Sequence, residues 1–406
     1  MSRILLALAL IWALTGAAWA QDFNALARVL PEQSRIIDDD GAGVQVQLGL
    51  SQGVPYRIFT LQDPYRMVID FKEVDWSGLN REAFLQTRRI SAVRFGAYVP
   101  GWSRLVLELG APLAVDRAAM RVDPASGAAV LILNLKGTDF ESFAANAGAP
   151  QTPGWDLPPP ADVPAQRGTD DRRALRVMLD PGHGGIDPGA EAGGTNEKTL
   201  MLTFARELRE ELLRAGGFEV VLTRADDHFV SLERRIALAH RAAADVFISL
   251  HADALSEGQA HGATIYVLSN EASDVASRKL AERHDRDDLI AGVDLSGSDD
   301  QIADVLLDMA RQETQPRTEA LAQSLANGMA QQGGPMNRRP VRRASFSVLK
   351  SADIPSVLIE LGFLSSPRDL KNLKNPEWRS TMARGILQGL QAWRQQDLAR
   401  RGLIGQ

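Results

Sequence analysis

The sequence has no cysteine, only six histidines among its 406 residues, and no long run of basic side chains. Because cysteine is absent, disulfides and thiolate metal ligands are excluded, and a transition-metal site would have to use histidine and carboxylate side chains. The net charge of −6 and the lack of a basic tract exclude nucleic acid as an expected partner. The length and a hydrophobic content of 45% indicate a globular protein with two or more domains.

Long apolar segments are also scarce, and the one at the N terminus is short. Residues 1–20 contain one early basic residue, Arg3, an apolar stretch over residues 4–14, and an Ala-Trp-Ala sequence at residues 18–20. This pattern is typical of a secretory signal peptide with its cleavage site. A membrane-spanning helix needs about 20 apolar residues, which neither this stretch nor a later one supplies. We therefore expect an exported protein with no stable membrane insertion after signal cleavage.

Residues 23–136 have the pattern of a small β-domain. After a short helical or irregular lead at residues 23–30, apolar and polar residues alternate in three segments, at residues 44–51, 67–71 and 105–109. Such alternation puts one face of a strand in a core and the other in water, and a turn sequence predicts a hairpin over residues 122–133. We predict a β-sandwich. Since no histidine precedes His183, a binding or targeting role is favoured, with a purely structural role as the alternative.

Residues 137–173 differ in composition from the segments on either side. They contain six prolines, mixed with alanine, glycine and aspartate, and almost no apolar periodicity. Such a segment cannot bury enough apolar surface to offset its ordering entropy. We expect an extended tether and two domains that move independently.

Residues 174–399 alternate between strand and helix patterns. Six strands are predicted, at residues 175–179, 218–222, 246–250, 263–268, 346–349 and 356–361. A helix is expected to begin at the N-cap Asn196 and end at Gly216, another covers residues 232–243, and a last amphipathic helix covers residues 382–398. This order predicts an α/β domain with a mixed, mainly parallel sheet and helices on both faces.

Four polar side chains are predicted to meet at one edge of this sheet. His183 lies in the glycine-rich loop of LDPGHGGIDPG, and Glu197 lies in the first turn of the next helix. His251 follows the third strand and Glu360 closes the last one. The carboxyl ends of strands form the binding crevice of open α/β sheets. Two histidines and a carboxylate are the usual ligands of a catalytic zinc, so Zn²⁺ is the expected cofactor, although the helix dipole alone would favour Glu197 at its position.

Glu360 needs a separate argument, because it ends an apolar strand. A carboxylate is costly to bury there unless it is paired or takes part in chemistry. Beside a metal, Glu360 would act as a general base and then as a general acid. The alternative is a fourth metal ligand. The base is favoured because catalytic zinc sites keep three protein ligands.

The motifs LDPGHGGIDPGA, NEK, SLHADA and VLIELGF, in this order, resemble those of the zinc-dependent N-acetylmuramoyl-L-alanine amidases, specifically the periplasmic cell-division amidases. The layout of residues 23–136 resembles the AMIN domain, a β-sandwich that directs such enzymes to envelope sites by binding peptidoglycan. The resemblance implies that His183, Glu197 and His251 bind zinc. It also implies that Glu360 is the catalytic glutamate.

The reaction implied by the resemblance is hydrolysis of the amide between N-acetylmuramic acid and L-alanine in peptidoglycan, for daughter-cell separation in the periplasm at the division septum. One alternative is a zinc peptidase that cleaves within the stem peptide. Another is a non-catalytic scaffold that binds peptidoglycan.

Residues 271–332 form a longer connection than an α/β unit needs. A short helix there is predicted to carry an apolar stripe of four residues, Ile302, Val305, Leu306 and Met309. The stripe either packs on the catalytic domain or is offered to a partner's groove. The division amidases that the sequence resembles carry an insertion here that covers the zinc and is displaced by LytM-type activator proteins. The resemblance implies self-inhibition, with Glu282 as the first candidate for the occluding group and His284 as the second.

Overall fold

The computed structural model describes residues 27–39, 43–99, 101–150, 173–254, 260–290, 301–351 and 353–404, without the side chains of residues 286–290, 301–313 and 401–404. The expected signal peptide at residues 1–20 and most of the linker, residues 151–172, lie outside the described residues. Within the described ranges, none of the helices combines the length and the apolar character needed to cross a membrane.

The described part of the N-terminal domain contains nine strands and two short helices. The strands are β1 (Ala27–Asp38), β2 (Val44–Leu50), β3 (Tyr56–Leu61), β4 (Arg66–Lys72), β5 (Val74–Asp75), β6 (Ile90–Val99), β7 (Trp102–Leu109), β8 (Leu113–Val122) and β9 (Ala129–Gly137). The helices are α1 (Arg81–Phe84) and α2 (Phe140–Ala145). One sheet has the order β5-β1-β2-β9-β8 and the other the order β3-β4-β7-β6.

The two sheets enclose one apolar core, as the alternating pattern predicts. Val46 and Leu48 from one sheet and Ile69 and Leu107 from the other are fully buried in the same cluster. The predicted hairpin joins β8 to β9, and its turn is stabilised by Asp123, whose carboxylate accepts hydrogen bonds from two backbone amides. The β-sandwich is confirmed. The helical or irregular lead was wrong from residue 27 onward, because pairing with β2 and β5 makes that segment a strand.

The second domain contains eight strands and six helices in the described part of the chain. The strands are β10 (Leu175–Pro181), β11 (Glu191–Ala192), β12 (Thr195–Asn196), β13 (Phe218–Leu222), β14 (Val246–His251), β15 (Ala263–Leu268), β16 (Met336–Ala344) and β17 (Ser356–Glu360). The helices are α3 (Glu197–Ala215), α4 (Leu232–Arg241), α5 (Val275–Ile290), α6 (Gln301–Gln331), α7 (Pro367–Lys374) and α8 (Pro376–Ile404).

The main sheet of this domain has the order β13-β10-β14-β17-β15-β16. Its neighbouring strands are parallel except for the antiparallel pair β15 and β17. Successive side chains of β10 point to opposite faces: Val177 joins the core under α3 and α8, whereas Met178 joins the core under α4 and α5. The predicted α/β class, with a mixed sheet and helices on both faces, is confirmed.

The edge strand differs from the prediction. Residues 346–349 were predicted as a strand, but Ser347–Leu349 forms a 3₁₀ turn, and the edge strand is β16. A short apolar run does not distinguish a strand from a buried turn. β16 carries four arginines and little apolar surface, which suits an edge strand because only one side of it is paired.

The predicted insertion at residues 271–332 also differs, because its second part belongs to the hydrophobic core of the second domain. α6 is a single helix of 31 residues, and Leu321, Leu325 and Met329 on its C-terminal half are fully buried against the same core as α8. The added segment is therefore shorter than the prediction. Ile302, Val305, Leu306 and Met309 lie on α6, but their side chains are outside the described part, so the activator-binding stripe stays a prediction.

The two domains contact each other directly, where independent motion was expected. The backbone N–H of Ile186, in the loop after β10, donates to the carbonyl of Ala97 on β6 at 2.9 Å. The rings of Tyr98 and Phe229 stack across the same contact with centroids 5.5 Å apart. Gly185 permits this approach, because a Cβ there would lie 1.9 Å from the carbonyl oxygen of Ala97. The N-terminal domain thus lies against the loop that carries His183.

Candidate metal centre

Three buried side chains from separate elements converge at the carboxyl edge of the sheet. His183 follows β10, Glu197 opens α3, and His251 ends β14. Each offers one ligand atom, and these atoms all lie within 4.8 Å of one another. Nε2 of His183 and Nδ1 of His251 each lie 3.1 Å from one of the two carboxylate oxygens of Glu197. The structure therefore brings together the three ligands that the sequence predicts.

Two buried arginines hold the His183 loop. Arg235 donates to the carbonyl of His183 at 2.9 Å, and Arg224 donates to the carbonyl of Gly182 at the same distance. Asp180 forms an ion pair with Arg235 at 2.5 Å. Burial raises the pKa of Asp180, but the charge of Arg235 and the hydrogen bonds to the carboxylate outweigh it and keep that pKa below the usual value. These charge-assisted bonds fix His183 in a left-handed conformation with φ of 59°.

Glycines make room for the ligands in this loop. A Cβ at Gly182 would lie 2.2 Å from the ring of His251. Gly189 has a φ of 65°, and a Cβ there would lie 2.6 Å from the ring of His183 and 2.8 Å from the Glu197 carboxylate. The glycine-rich motif is therefore needed for space at the ligands as well as for backbone conformation.

Asp187 orients His183, the first candidate ligand. Its Oδ2 lies 2.7 Å from Nδ1 of His183, on the side of the ring away from Glu197. A carboxylate in this position holds the proton on Nδ1 and directs Nε2 towards a metal. Asp187 was not singled out in the sequence, although it lies inside the motif GIDPG.

The charges of the cluster suit a cation. Burial lowers the pKa of His183, but Asp187 and Glu197 outweigh it and raise that pKa well above the usual value. Burial raises the pKa of Glu197, but His183 outweighs it and lowers that pKa well below the usual value. The ionised carboxylates of Asp187 and Glu197 thus lie next to the imidazoles. A divalent cation would balance their negative charge in place of the extra proton on His183.

Glu360 lies beside the cluster with one oxygen unused. Glu360 on β17 lies opposite His251 on the neighbouring strand β14, and its side chain is fully buried. Oε2 accepts the backbone N–H of Asp253 at 3.0 Å, whereas Oε1 has no hydrogen-bond partner in the described part of the chain. Burial, Glu197 and Asp253 raise the pKa of Glu360 well above its usual value. A buried, unpaired oxygen at this place is positioned for proton transfer.

His284 on α5 covers the cluster. Its ring centroid is 4.3 Å from that of His251 and 5.8 Å from that of His183, and its Nε2 is 3.6 Å from Oε1 of Glu360. Burial and the two other histidines lower the pKa of His284 well below its usual value, so the ring is neutral. The neighbouring Arg283 forms an ion pair with Asp253 at 3.0 Å.

The order of the two covering candidates is corrected by these positions. Glu282 was the first candidate, but its side chain is exposed, whereas His284 is 4% exposed. Two residues along a helix correspond to a rotation of about 200°, so the two side chains point in nearly opposite directions. The other three histidines lie elsewhere: His228 pairs with Asp226, His240 with Ser351, and His261 is exposed.

Comparison with known proteins agrees with this site. The family model described as N-acetylmuramoyl-L-alanine amidase matches residues 177–392, and that of the AMIN domain matches residues 35–135. The chain belongs to the N-acetylmuramoyl-L-alanine amidase family. It is 32% identical over 379 residues to the amidase AmiC of Escherichia coli O6:H1, covering 88% of each chain. It is also 32% identical over 377 residues to AmiC of Neisseria meningitidis serogroup B, again covering 88% of each chain.

A comparison with solved structures also finds amidases. The N-acetylmuramoyl-L-alanine amidase of Clostridium difficile 630 is 28% identical, covers 54% of this chain and 97% of that one, and gives a TM-score of 0.41. The resemblance to the cell-division amidases with an N-terminal AMIN domain is confirmed by the family matches and by the AmiC relatives. The protein is an N-acetylmuramoyl-L-alanine amidase, and His183, Glu197 and His251 form a cluster that could hold a metal ion.

Proposed function

We propose that this amidase is a zinc enzyme whose metal is held by His183, Glu197 and His251. The observation that carries the proposal is the convergence of these three buried donors within 4.8 Å, next to the unpaired Oε1 of Glu360. Imidazole and carboxylate donors in this ratio suit a catalytic zinc. The chemistry that zinc supplies when bound is Lewis acidity, which polarises the amide carbonyl and acidifies water.

Glu360 accepts and then donates a proton in the reaction. Its Oε1 accepts a proton from the water that attacks the lactyl carbonyl carbon, and the same oxygen then donates that proton to the departing nitrogen of L-alanine. The C–O bond forms first, and the C–N bond breaks once the nitrogen has received the proton from Glu360. The second proton of the water passes from the new carboxyl group to the released amine, so the products are a carboxylate on the muramic acid and an ammonium group on the peptide. Oε2 stays bonded to the N–H of Asp253, which keeps the carboxylate in one orientation.

α5 inhibits the enzyme in the arrangement described here. His284 fills the space beside Glu360 and the two ligand histidines, so a peptidoglycan strand has no access to them. The ion pair between Arg283 and Asp253 ties α5 to the strand end that carries His251. Burial raises the pKa of Asp253 to about 6, although Arg283 opposes this, so the pair is formed most fully above that pH. A LytM-type activator would displace α5 and open the site.

The proposed setting is the periplasm at the division septum, where the AMIN domain binds peptidoglycan. Localisation of a fluorescent fusion carrying the full chain tests this. Septal enrichment that disappears when residues 27–137 are deleted supports the proposal, and a uniform distribution of the full chain contradicts it.

The reaction is tested by digesting purified sacculi with the full chain and with a His284→Ala variant. Mass spectrometry of the products distinguishes the alternatives, because only an amidase releases peptides that begin with L-alanine while the glycan strands stay whole. Fragments cut within the stem peptide would indicate a peptidase instead. Absence of any soluble product from the zinc-loaded variant would indicate a peptidoglycan-binding scaffold.

A further inference from the structure

A cleft lies between the AMIN domain and the loop that carries the metal ligands. It has a volume of about 580 Å³. One wall is formed by α1 and β6, and it includes Arg81 and Arg94. The other wall is the loop after His183, with Pro188, Gly189 and Glu191. Both walls are held together by the contact of Ile186 and Phe229 with β6, so the cleft is a built feature of the interface between the domains.

The cleft adjoins the metal ligands through a single segment of backbone. Gly189 lines the cleft, and a Cβ at this position would contact the ring of His183 at 2.6 Å and the carboxylate of Glu197 at 2.8 Å. A group bound in the cleft would therefore be separated from the candidate metal centre only by the backbone of Gly189. A branched polymer with its scissile amide at the metal could reach the cleft with another of its arms.

Arg94 supplies an unused positive charge in this cleft. Its side chain is half-buried and forms no hydrogen bond or ion pair with another residue of the part that the structure describes. It is close enough to Asp187 to contribute to lowering the pKa of that carboxyl, after the larger effect of His183 and against the effect of burial. A guanidinium so placed is suited to bind a carboxylate by two parallel hydrogen bonds.

Arg81 offers a second charge that is only weakly engaged. It contacts Glu191 across the cleft at 3.3 Å, and the two side chains are 37% and 54% exposed. Such an exposed pair contributes little free energy and is readily exchanged for another partner. Glu82 also lines the cleft, so its walls carry both positive and negative side chains. They would select a ligand by where its charged groups lie and not by its net charge.

We propose that this cleft is a binding subsite for a carboxylate of the peptidoglycan stem peptide, with Arg94 as its main contact and Arg81 as the second. The AMIN domain then takes part in substrate binding at the catalytic centre, in addition to any role in targeting. The proposal rests on peptidoglycan being the substrate. Arg94 and Arg81 bind and position the stem, whereas the bond is cleaved at the metal and Glu360.

The test measures binding of two soluble probes by calorimetry to the full zinc-loaded chain that carries His284→Ala and Glu360→Gln, called the parent protein below. The first substitution opens the metal centre, and the second prevents cleavage of the probe. One probe is a disaccharide peptide with free carboxylates, and the other is the same molecule with its peptide carboxylates amidated. The variants are Arg94→Glu, Arg94→Lys and Arg81→Glu. Arg121→Glu is the matched control, since Arg121 is an exposed arginine on β8 in the other sheet of the same domain.

Arg94→Glu is expected to weaken binding of the free-acid probe about tenfold or more and to leave the amidated probe nearly unchanged. Arg94→Lys should recover most of the affinity, and Arg81→Glu should have a smaller effect. Zinc content and melting temperature should stay at the values of the parent protein, which a merely structural role for Arg94 would not allow.

Equal affinities of Arg94→Glu and Arg121→Glu for the free-acid probe would overturn the proposal, as would a parent protein that binds the two probes equally or binds neither. Product analysis of sacculi with the His284→Ala variant decides the reaction independently. If peptides beginning with L-alanine are released while Arg94→Glu binds like the parent protein, only the cleft assignment fails. If no such peptides appear, the proposed reaction fails as well.

Discussion

The chemistry of this amidase is concentrated in a few buried side chains at the carboxyl edge of the main sheet. His183, Glu197, His251 and Glu360 each sit at a strand end, at a helix start or in a glycine-rich loop, where polar groups of an α/β sheet converge. Asp187 acts through His183. Its role depends on which ring nitrogen of His183 it contacts, and a loop conformation sets that contact.

Substitution of Glu360 separates proton transfer from metal binding. Glu360→Gln keeps the size of the side chain and the acceptor for the N–H of Asp253, but it removes the base. We expect turnover on sacculi to fall about 10²- to 10⁴-fold with zinc content unchanged, measured by product release and elemental analysis. Glu377→Gln, at an exposed position on α8, is the control. Loss of zinc together with activity would make Glu360 a ligand instead.

Substitution of Asp187 tests the orientation of the first ligand. Asp187→Asn removes the charge that holds the proton on Nδ1 of His183. Zinc affinity is expected to fall about 10- to 100-fold, which competition with a chromophoric chelator measures. The control Asp116→Asn lies on an exposed strand of the AMIN domain and should leave affinity unchanged. Unchanged affinity in both variants would mean that Asp187 only shapes the loop.

At the scale of elements, the sequence predicts most helices and strands because each has a clear period and clear ends. α3 begins after the N-cap Asn196, and β13 and β15 have the predicted bounds. β16 is missed because an edge strand with four arginines lacks the apolar pattern of a buried strand. The sequence also does not predict which face of α5 lies towards the cluster, and the reason is different. Whether Glu282 or His284 faces the metal depends on the helix's rotation, which packing of Leu280 and Ala281 decides.

Release of α5 is expected to activate the enzyme. Arg283→Ala removes the ion pair with Asp253, a loss of about 1 kcal/mol for a partly exposed pair, and should raise basal hydrolysis of sacculi about fivefold. His284→Ala should raise it further, because the space beside Glu360 is vacated. Arg278→Ala, exposed on the same helix, is the control and should stay at the basal rate. Lower activity in folded Arg283→Ala would contradict self-inhibition by α5.

At the scale of the whole molecule, the two domains meet at the loop that carries His183. The sequence could not predict this contact, because Tyr98, Ile186 and Phe229 look like ordinary core residues of their own domains. Only the fold shows that they face each other. The contact gives the AMIN domain a direct physical connection to the catalytic loop.

Loosening this contact is expected to free the loop. Tyr98→Ala removes a ring that stacks on Phe229, an aromatic pair worth about 0.5–1.5 kcal/mol beyond its buried area. Hydrogen exchange at the amide of Ile186, which donates to Ala97, should become faster. Tyr65→Ala, which removes a ring that packs on Phe143 inside the AMIN domain, should not change it. Equal exchange at Ile186 in both variants would show that the stacked pair does not hold the domains together.

The proposed catalysis depends on one metal held by three residues, with Glu360 outside the coordination sphere. An anomalous difference map of the zinc-loaded crystalline protein, recorded at the zinc absorption edge, tests this most directly. We expect one peak that contacts His183, Glu197 and His251 at about 2.0–2.2 Å, with Glu360 outside bonding distance. A peak bonded directly to Glu360, or a peak located away from these three side chains, would contradict it.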